Sequence, residues 1–203
     1  NKTAEGPLYL AYSGSPAYGY RATGEIVAAR ETVLIAGKQS ALKNITAIEL
    51  PAESIDITGA TEDFTQEVDL RRYLPDNISL ANSADAKVEV TVKIQPEVSK
   101  TLAVNGENLE AVNVPNGFIA TLDEVQEGTR IEILGLESEL SGIHESTLRG
   151  RVDIGAWMAS QGMTEPVDGY YQMEVDFGLP ERVTVTEPLI LLVHLSEVQD
   201  AAE

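Results

Sequence analysis

Few side chains in this chain are suited to covalent or metal chemistry, and their spacing limits what they can do. The 203 residues include two histidines and no cysteine. Disulfide scaffolds, thiolate metal sites and cysteine nucleophiles are thereby excluded, and His144 and His194 are too few for a multi-histidine metal site. His144 is followed directly by Glu145 and Ser146. A hydrolase needs nucleophile, base and orienting acid to converge in space, which sequence neighbours on a loop do not do. A hydrolase using His144 is therefore the weakest functional reading, and a surface histidine the better one. His194 is expected in a strand, on its polar face or at an edge. Ala36-Gly37-Lys38-Gln39-Ser40 ends like a phosphate-binding loop, but Gln39 stands where Ser or Thr must reach the metal. No Gly-x-Ser-x-Gly nucleophile elbow occurs. Glu62-Asp63 and Asp123-Glu124 lack the spacing of a calcium-binding loop and read as solvated turns. No catalytic, cofactor-binding or metal-binding residue is expected, and no enzyme activity.

Binding chemistry has a better candidate. Trp157, Met158 and Met163 lie close together and Tyr170 and Tyr171 follow. Aromatic and methionine side chains are enriched at binding surfaces. The five form a candidate protein-interaction patch; the alternative is a short helix or loop that covers its own domain's core. Charge narrows the partner. Acidic residues number 33 against 14 basic, a net charge of -19. That field repels phosphate backbones, so no nucleic-acid partner is expected. Residues 1–100 carry 10 basic and 14 acidic side chains, and residues 101–203 carry 4 and 19. The asymmetry fits solubility, or a second half that meets a basic partner or is held away from an anionic surface.

The elements that must position these residues read as strands. Val88-Glu89-Val90-Thr91-Val92-Lys93-Ile94 alternates apolar and polar side chains, as do Thr129 to Leu134 and Arg182 to Thr186. Thr32 to Ala36 is apolar on both faces, which predicts cover on both sides. Pro188 to Val193, the longest apolar run, has a strand's length and falls short of a membrane span. Short helical turns are predicted at Ser40 to Ile45 and Glu137 to Ser141. The expected fold class is mainly β with little helix.

Sliding the chain by about 98 positions aligns its halves. Gly19-Tyr20 falls on Gly117-Phe118, Val33 and Ile35 on Ile131 and Ile133, Gly37 on Gly135, and Leu42 on Leu140. Ile55-Asp56-Ile57 falls on Val152-Asp153-Ile154, and Glu67-Val68-Asp69-Leu70 on Glu174-Val175-Asp176-Phe177. Leu74-Pro75 meets Leu179-Pro180, and Val88 and Val90 meet Ile190 and Leu192. Two tandem β-domains follow, at 1–100 and 101–203. The second has an insertion near 155–169, about ten residues longer than the matching stretch of the first. Gly37 and Gly135 are expected to turn the backbone with positive φ. The two Leu-Pro pairs are expected to end strands.

The ordered series resembles the YbbR domain, which occurs in tandem arrays in bacterial cell-envelope proteins. It runs through Gly14-Ser15-Pro16-Ala17-Tyr18-Gly19-Tyr20, Thr32-Val33-Leu34-Ile35-Ala36-Gly37, Leu42-Lys43-Asn44-Ile45 and Ile55-Asp56-Ile57-Thr58-Gly59. It closes with Val68-Asp69-Leu70, Leu74-Pro75 and Val88 to Val92, and returns from Val112-Asn113-Val114-Pro115 to Val193. The resemblance implies two elongated β-domains of swapped-hairpin type, without catalytic residues or cofactors. It implies a parent protein anchored in the membrane, with these domains on the extracytoplasmic face. CdaR-like members of the family regulate the membrane-bound diadenylate cyclase CdaA, so such a cyclase is the implied partner, through the parent protein. The chain opens on Asn1-Lys2, and the anchor is expected outside this piece. The alternative is a passive cell-envelope spacer or adhesin-like β-module.

Overall fold

A computed structural model describes residues 1–199 and divides the chain into two units, Asn1–Glu97 and Val98–Glu203. The division falls three residues before the expected one (97 against 100). Each unit is mainly β with its own apolar core.

In the first unit, β1 (Lys2–Tyr9), β3 (Thr32–Gly37), β4 (Ile48–Glu49) and β6 (Ile78–Leu80) form a sheet ordered β4-β1-β3-β6. The β1–β4 pair is parallel, and the other pairs are antiparallel. β2 (Tyr20–Ala28), β5 (Phe64–Asp69) and β7 (Lys87–Pro96) form an antiparallel sheet ordered β2-β7-β5. A helical turn, α1 (Gln39–Leu42), follows β3 where the sequence predicts one. β7 is the central strand of its sheet and alternates strictly between a buried and a solvated face. Val88, Val90, Val92 and Ile94 are buried, while Glu89 and Gln95 are exposed. Thr32 to Ala36 departs from expectation: Val33 and Ile35 are buried but Leu34 is 43% exposed, so this strand is covered on one face only.

The second unit repeats the plan. β8 (Val98–Ala103), β11 (Arg130–Gly135) and β14 (Thr184–Val185) form an antiparallel sheet ordered β14-β11-β8. β9 (Leu109–Val112) and β12 (Gly150–Asp153) pair in parallel. β10 (Phe118–Leu122), β13 (Gly169–Glu174) and β15 (Ile190–Glu197) form an antiparallel sheet ordered β10-β15-β13. The helical turn α2 (Glu137–Leu140) matches α1, and a longer helix, α3 (Ile154–Ser160), opens the insertion. Of the predicted strand Arg182 to Thr186, only Thr184–Val185 is strand.

Hydrogen-bond register fixes the correspondence between the copies. Ala22 pairs with Ile94 and Ala120 with Leu195, so Ile94 corresponds to Leu195. Phe64 pairs with Val92 and Tyr171 with Val193, so Phe64 corresponds to Tyr171. Val88 and Val90 therefore answer to Leu189 and Leu191, not to Ile190 and Leu192 as the apolar pattern suggests, and the buried Val92 answers to Val193. The unbroken apolar run from Leu189 to Val193 hides the phase. A slip of one position turns every side chain to the opposite face.

The repeated glycines serve a purpose other than the expected one. Neither Gly37 nor Gly135 has positive φ. A Cβ on Gly37 would lie 2.9 Å from Ile78 Cδ1 and 3.0 Å from the Asn77 carbonyl oxygen; on Gly135 it would lie 3.2 Å from Leu140 and 3.3 Å from Val183. At Gly37 glycine is favoured because β6 and the turn before it approach the backbone too closely for a side chain, and at Gly135 a Cβ would press more mildly on the Leu140 and Val183 side chains. The Leu-Pro pairs also differ from expectation: they open turns leading into the next strand rather than ending one. The Pro75 carbonyl accepts from Ile78 N at 3.1 Å, and the Pro180 carbonyl from Val183 N at 2.9 Å.

Candidate functional site

The insertion forms a lid. Asp153 caps α3 by accepting from Ala156 N at 2.9 Å, and it accepts from Asn113 Nδ2 at 2.9 Å. Met158 is buried in the second unit's core, and Trp157, Met163 and Tyr171 pack against that core from a partly buried position. The Trp157 and Tyr171 rings lie 4.7 Å apart at 47°, within the range of attractive tilted aromatic pairs. The Tyr171 hydroxyl donates to the Val167 carbonyl at 2.8 Å, holding the loop that returns to β13. An open cleft beside this helix is lined by Trp157, Gln161, Asp153, Arg151 and Glu181.

Tyr170 belongs elsewhere. Strand alternation sends it to the face opposite Tyr171, where it is 66% exposed. It stacks on His194, with ring centroids 4.3 Å apart and planes 9° from parallel. The five patch residues thus divide: Trp157, Met158, Met163 and Tyr171 line the core side, and Tyr170 alone faces outward. The physical cause is the two-residue period of a strand, which separates adjacent tyrosines however similar they are. His194 lies on the same outer face, in the central strand of its sheet rather than at an edge. Its Nε2 is 3.6 Å from Asp168 Oδ1.

The residues weighed for catalysis are held in structural roles. His144 is exposed, and its backbone carbonyl accepts from Thr147 N at 3.1 Å and Leu148 N at 2.9 Å. Glu145 accepts from Ala103 N at 2.8 Å, tying this turn to β8. Asp63, read from sequence as part of a solvated turn, is instead a latch on β7. It accepts from Ile94 N at 2.9 Å and from Lys93 Nζ at 3.1 Å, and these two bonds, the backbone one first, lower its pKa. Among the described residues no group of three or more histidine and carboxylate side chains is placed to hold a metal ion.

Fold and surface therefore define a protein of tandem β-domains, with a lid helix and a singular outer face in its second copy. Residues 7–101 match the family model described as YbbR-like protein, so the first unit is a YbbR-like domain. Among solved structures, a solution structure of the Streptococcus thermophilus protein SuR18C is 22% identical, with a TM-score of 0.37; the match covers 47% of this chain and 85% of that one. The crystal structure of a YbbR-like protein from Streptococcus pneumoniae is 13% identical, with a TM-score of 0.31, and the match covers 98% of both chains. No curated protein matches the sequence. Among the described residues no helix is long and apolar enough to cross a membrane.

Proposed function

We propose that this chain is a non-catalytic binding and regulatory region on the extracytoplasmic face of a membrane-anchored parent protein. Through that parent it modulates a membrane diadenylate cyclase. The observation that carries the reading is the YbbR-like match over residues 7–101. It is supported by a second copy of the same strand plan, whose surface differs from that of the first. A passive spacer needs no such difference, since solubility asks only for polar surfaces on both copies. The test is the cyclic di-AMP level in cells that carry the parent protein with and without residues 1–203. A changed level is expected. An unchanged level overturns the cyclase reading and leaves the spacer.

A further inference from the structure

The duplication allows two faces of one chain to be compared position by position. On the outer face of β2-β7-β5, polar residues oppose one another on β7 and β5, and the one exposed large apolar side chain is Val27 of β2, beside Thr91. Lys93 Nζ lies 3.1 Å from Asp63 Oδ2, and the Thr65 and Thr91 hydroxyls are 2.9 Å apart. Glu89 pairs with Glu67, which is held 2.8 Å from Lys87 Nζ. On the outer face of β10-β15-β13 the register puts different chemistry in the same places. His194 and Tyr170 replace Lys93 and Asp63, Leu192 and Gln172 replace Thr91 and Thr65, and Ile190 replaces Glu89. The outer apolar side chains are exposed: Ile190 53%, Leu192 40%, Tyr170 66% and, on β10, Ile119 54%. Both sheets hold a valine and leucine or isoleucine core on the inner side, so folding does not require this replacement.

The charge around the face identifies its occupant. Asp168, Asp123 and Glu174 flank the apolar residues in the same outward phase, and residues 101–203 carry 19 acidic against 4 basic side chains. A second copy of this chain, at net charge -19, and an anionic lipid surface are both repelled. A polypeptide that places apolar side chains on Leu192, Ile190 and Ile119, with lysine or arginine beside them, meets both features at once. We propose that the outer face of β10-β15-β13 is a docking surface for a basic, apolar-rich segment of a partner protein. Tyr170, stacked on His194, is its aromatic anchor. The proposal rests on reading the chain as a binding region; it does not depend on the partner being a cyclase.

The chain itself supplies the control variant. Ile190→Glu, Leu192→Thr, Tyr170→Asp and His194→Lys together install the first copy's residues, which fold in the same register. The probe is a synthetic peptide of alternating leucine and lysine, titrated calorimetrically against the 203-residue chain. Binding that weakens with added salt is expected, with a loss of about tenfold or more in the fourfold variant. Simple charge attraction predicts the reverse, because the variant is more acidic by one charge overall. Unfolding of the variant by circular dichroism at a temperature near that of the parent shows that folding is kept. If it is not, Leu192→Thr alone is used, with a smaller loss expected. Equal or tighter binding by the variant overturns the proposal. So does equal binding of a leucine–glutamate peptide, binding of anionic phosphatidylglycerol vesicles through this face, or dimerisation that the variant abolishes. A changed cyclic di-AMP level with no peptide binding would sink this proposal and spare the cyclase reading. Binding with an unchanged level would do the opposite.

Discussion

Asp69 accepts from the Arg71 backbone N–H at 3.1 Å and from its guanidinium at 2.9 and 2.6 Å. Those bonds, the guanidinium's first, lower its pKa from 3.8 to about 2. Its counterpart Asp176 accepts from Gly178 N at 2.8 Å, so the two copies turn the chain with the same short-range device. Asp56 is similar. Its pKa is lowered by the Thr58 hydroxyl, at 2.6 Å, and then by the Thr58 backbone N–H, at 3.0 Å. Asp153 fills the corresponding position and caps α3. The aspartates of this acidic chain therefore include several that organise backbone, which composition alone does not reveal. A carboxylate with a depressed folded-state pKa stabilises the fold fully above its unfolded pKa, and the contribution is lost as pH falls through the folded one. For Asp69 that window runs from 3.8 down to about 2. Asp69→Asn is expected to lower first-unit stability at pH 7, with the gap from the parent closing across this window. Urea unfolding of both proteins at pH 7, 4 and 2 checks it, and a gap independent of pH refutes it.

At the scale of elements, alternation made β7 and β11 legible because each has one buried and one solvated face. The register of β15 was not legible. Its outer face carries Ile190 and Leu192, so polarity ceases to mark inside from outside. The same substitution that creates the docking surface defeats the reading of the strand. Strand pairing was not legible either, because the parallel β9–β12 and β1–β4 pairs depend on long-range return of the chain. The site was legible in part: the insertion was visible by its length, but which of its apolar residues face the core follows only from α3 and from strand phase. Met158 is 7% exposed and sits within the core cluster. Met158→Ala is expected to cost about 2–5 kcal/mol, and Trp157→Ala, partly buried, to act in the same direction. Neither touches the outer face, so binding of the leucine–lysine peptide should stay unchanged once the protein is folded. Thermal unfolding followed by tyrosine and tryptophan signals reads the first effect, and calorimetric titration the second. A Met158→Ala protein as stable as the parent would remove the lid from the account of the core.

At the scale of the whole molecule, duplication separates what the fold demands from what one copy adds. Residues kept in both copies explain architecture: the close-approach glycines Gly37 and Gly135, the turn prolines Pro75 and Pro180, and the inward strand residues. Residues that differ, above all the outer face of β10-β15-β13 and the acidity of the second half, are free of that demand. Both copies could be found from sequence because inward residues repeat, yet the repeat drew attention away from the outward positions, where the copies differ. Each unit has its own core, so Asn1–Glu97 and Val98–Glu203 made separately are each expected to unfold in one cooperative step. Their response to salt should differ. Like charges crowded on a compact body destabilise it, and added ions screen them over about 10 Å at 0.1 M salt. With 5 basic against 19 acidic side chains, Val98–Glu203 has far more repulsion to relieve than Asn1–Glu97, with 9 against 14. Raising sodium chloride from low to moderate concentration should therefore lift the Tm of the second unit more than that of the first, by on the order of a few degrees. Equal shifts in the two pieces would mean that the acidity is already balanced locally and does not distinguish the second copy.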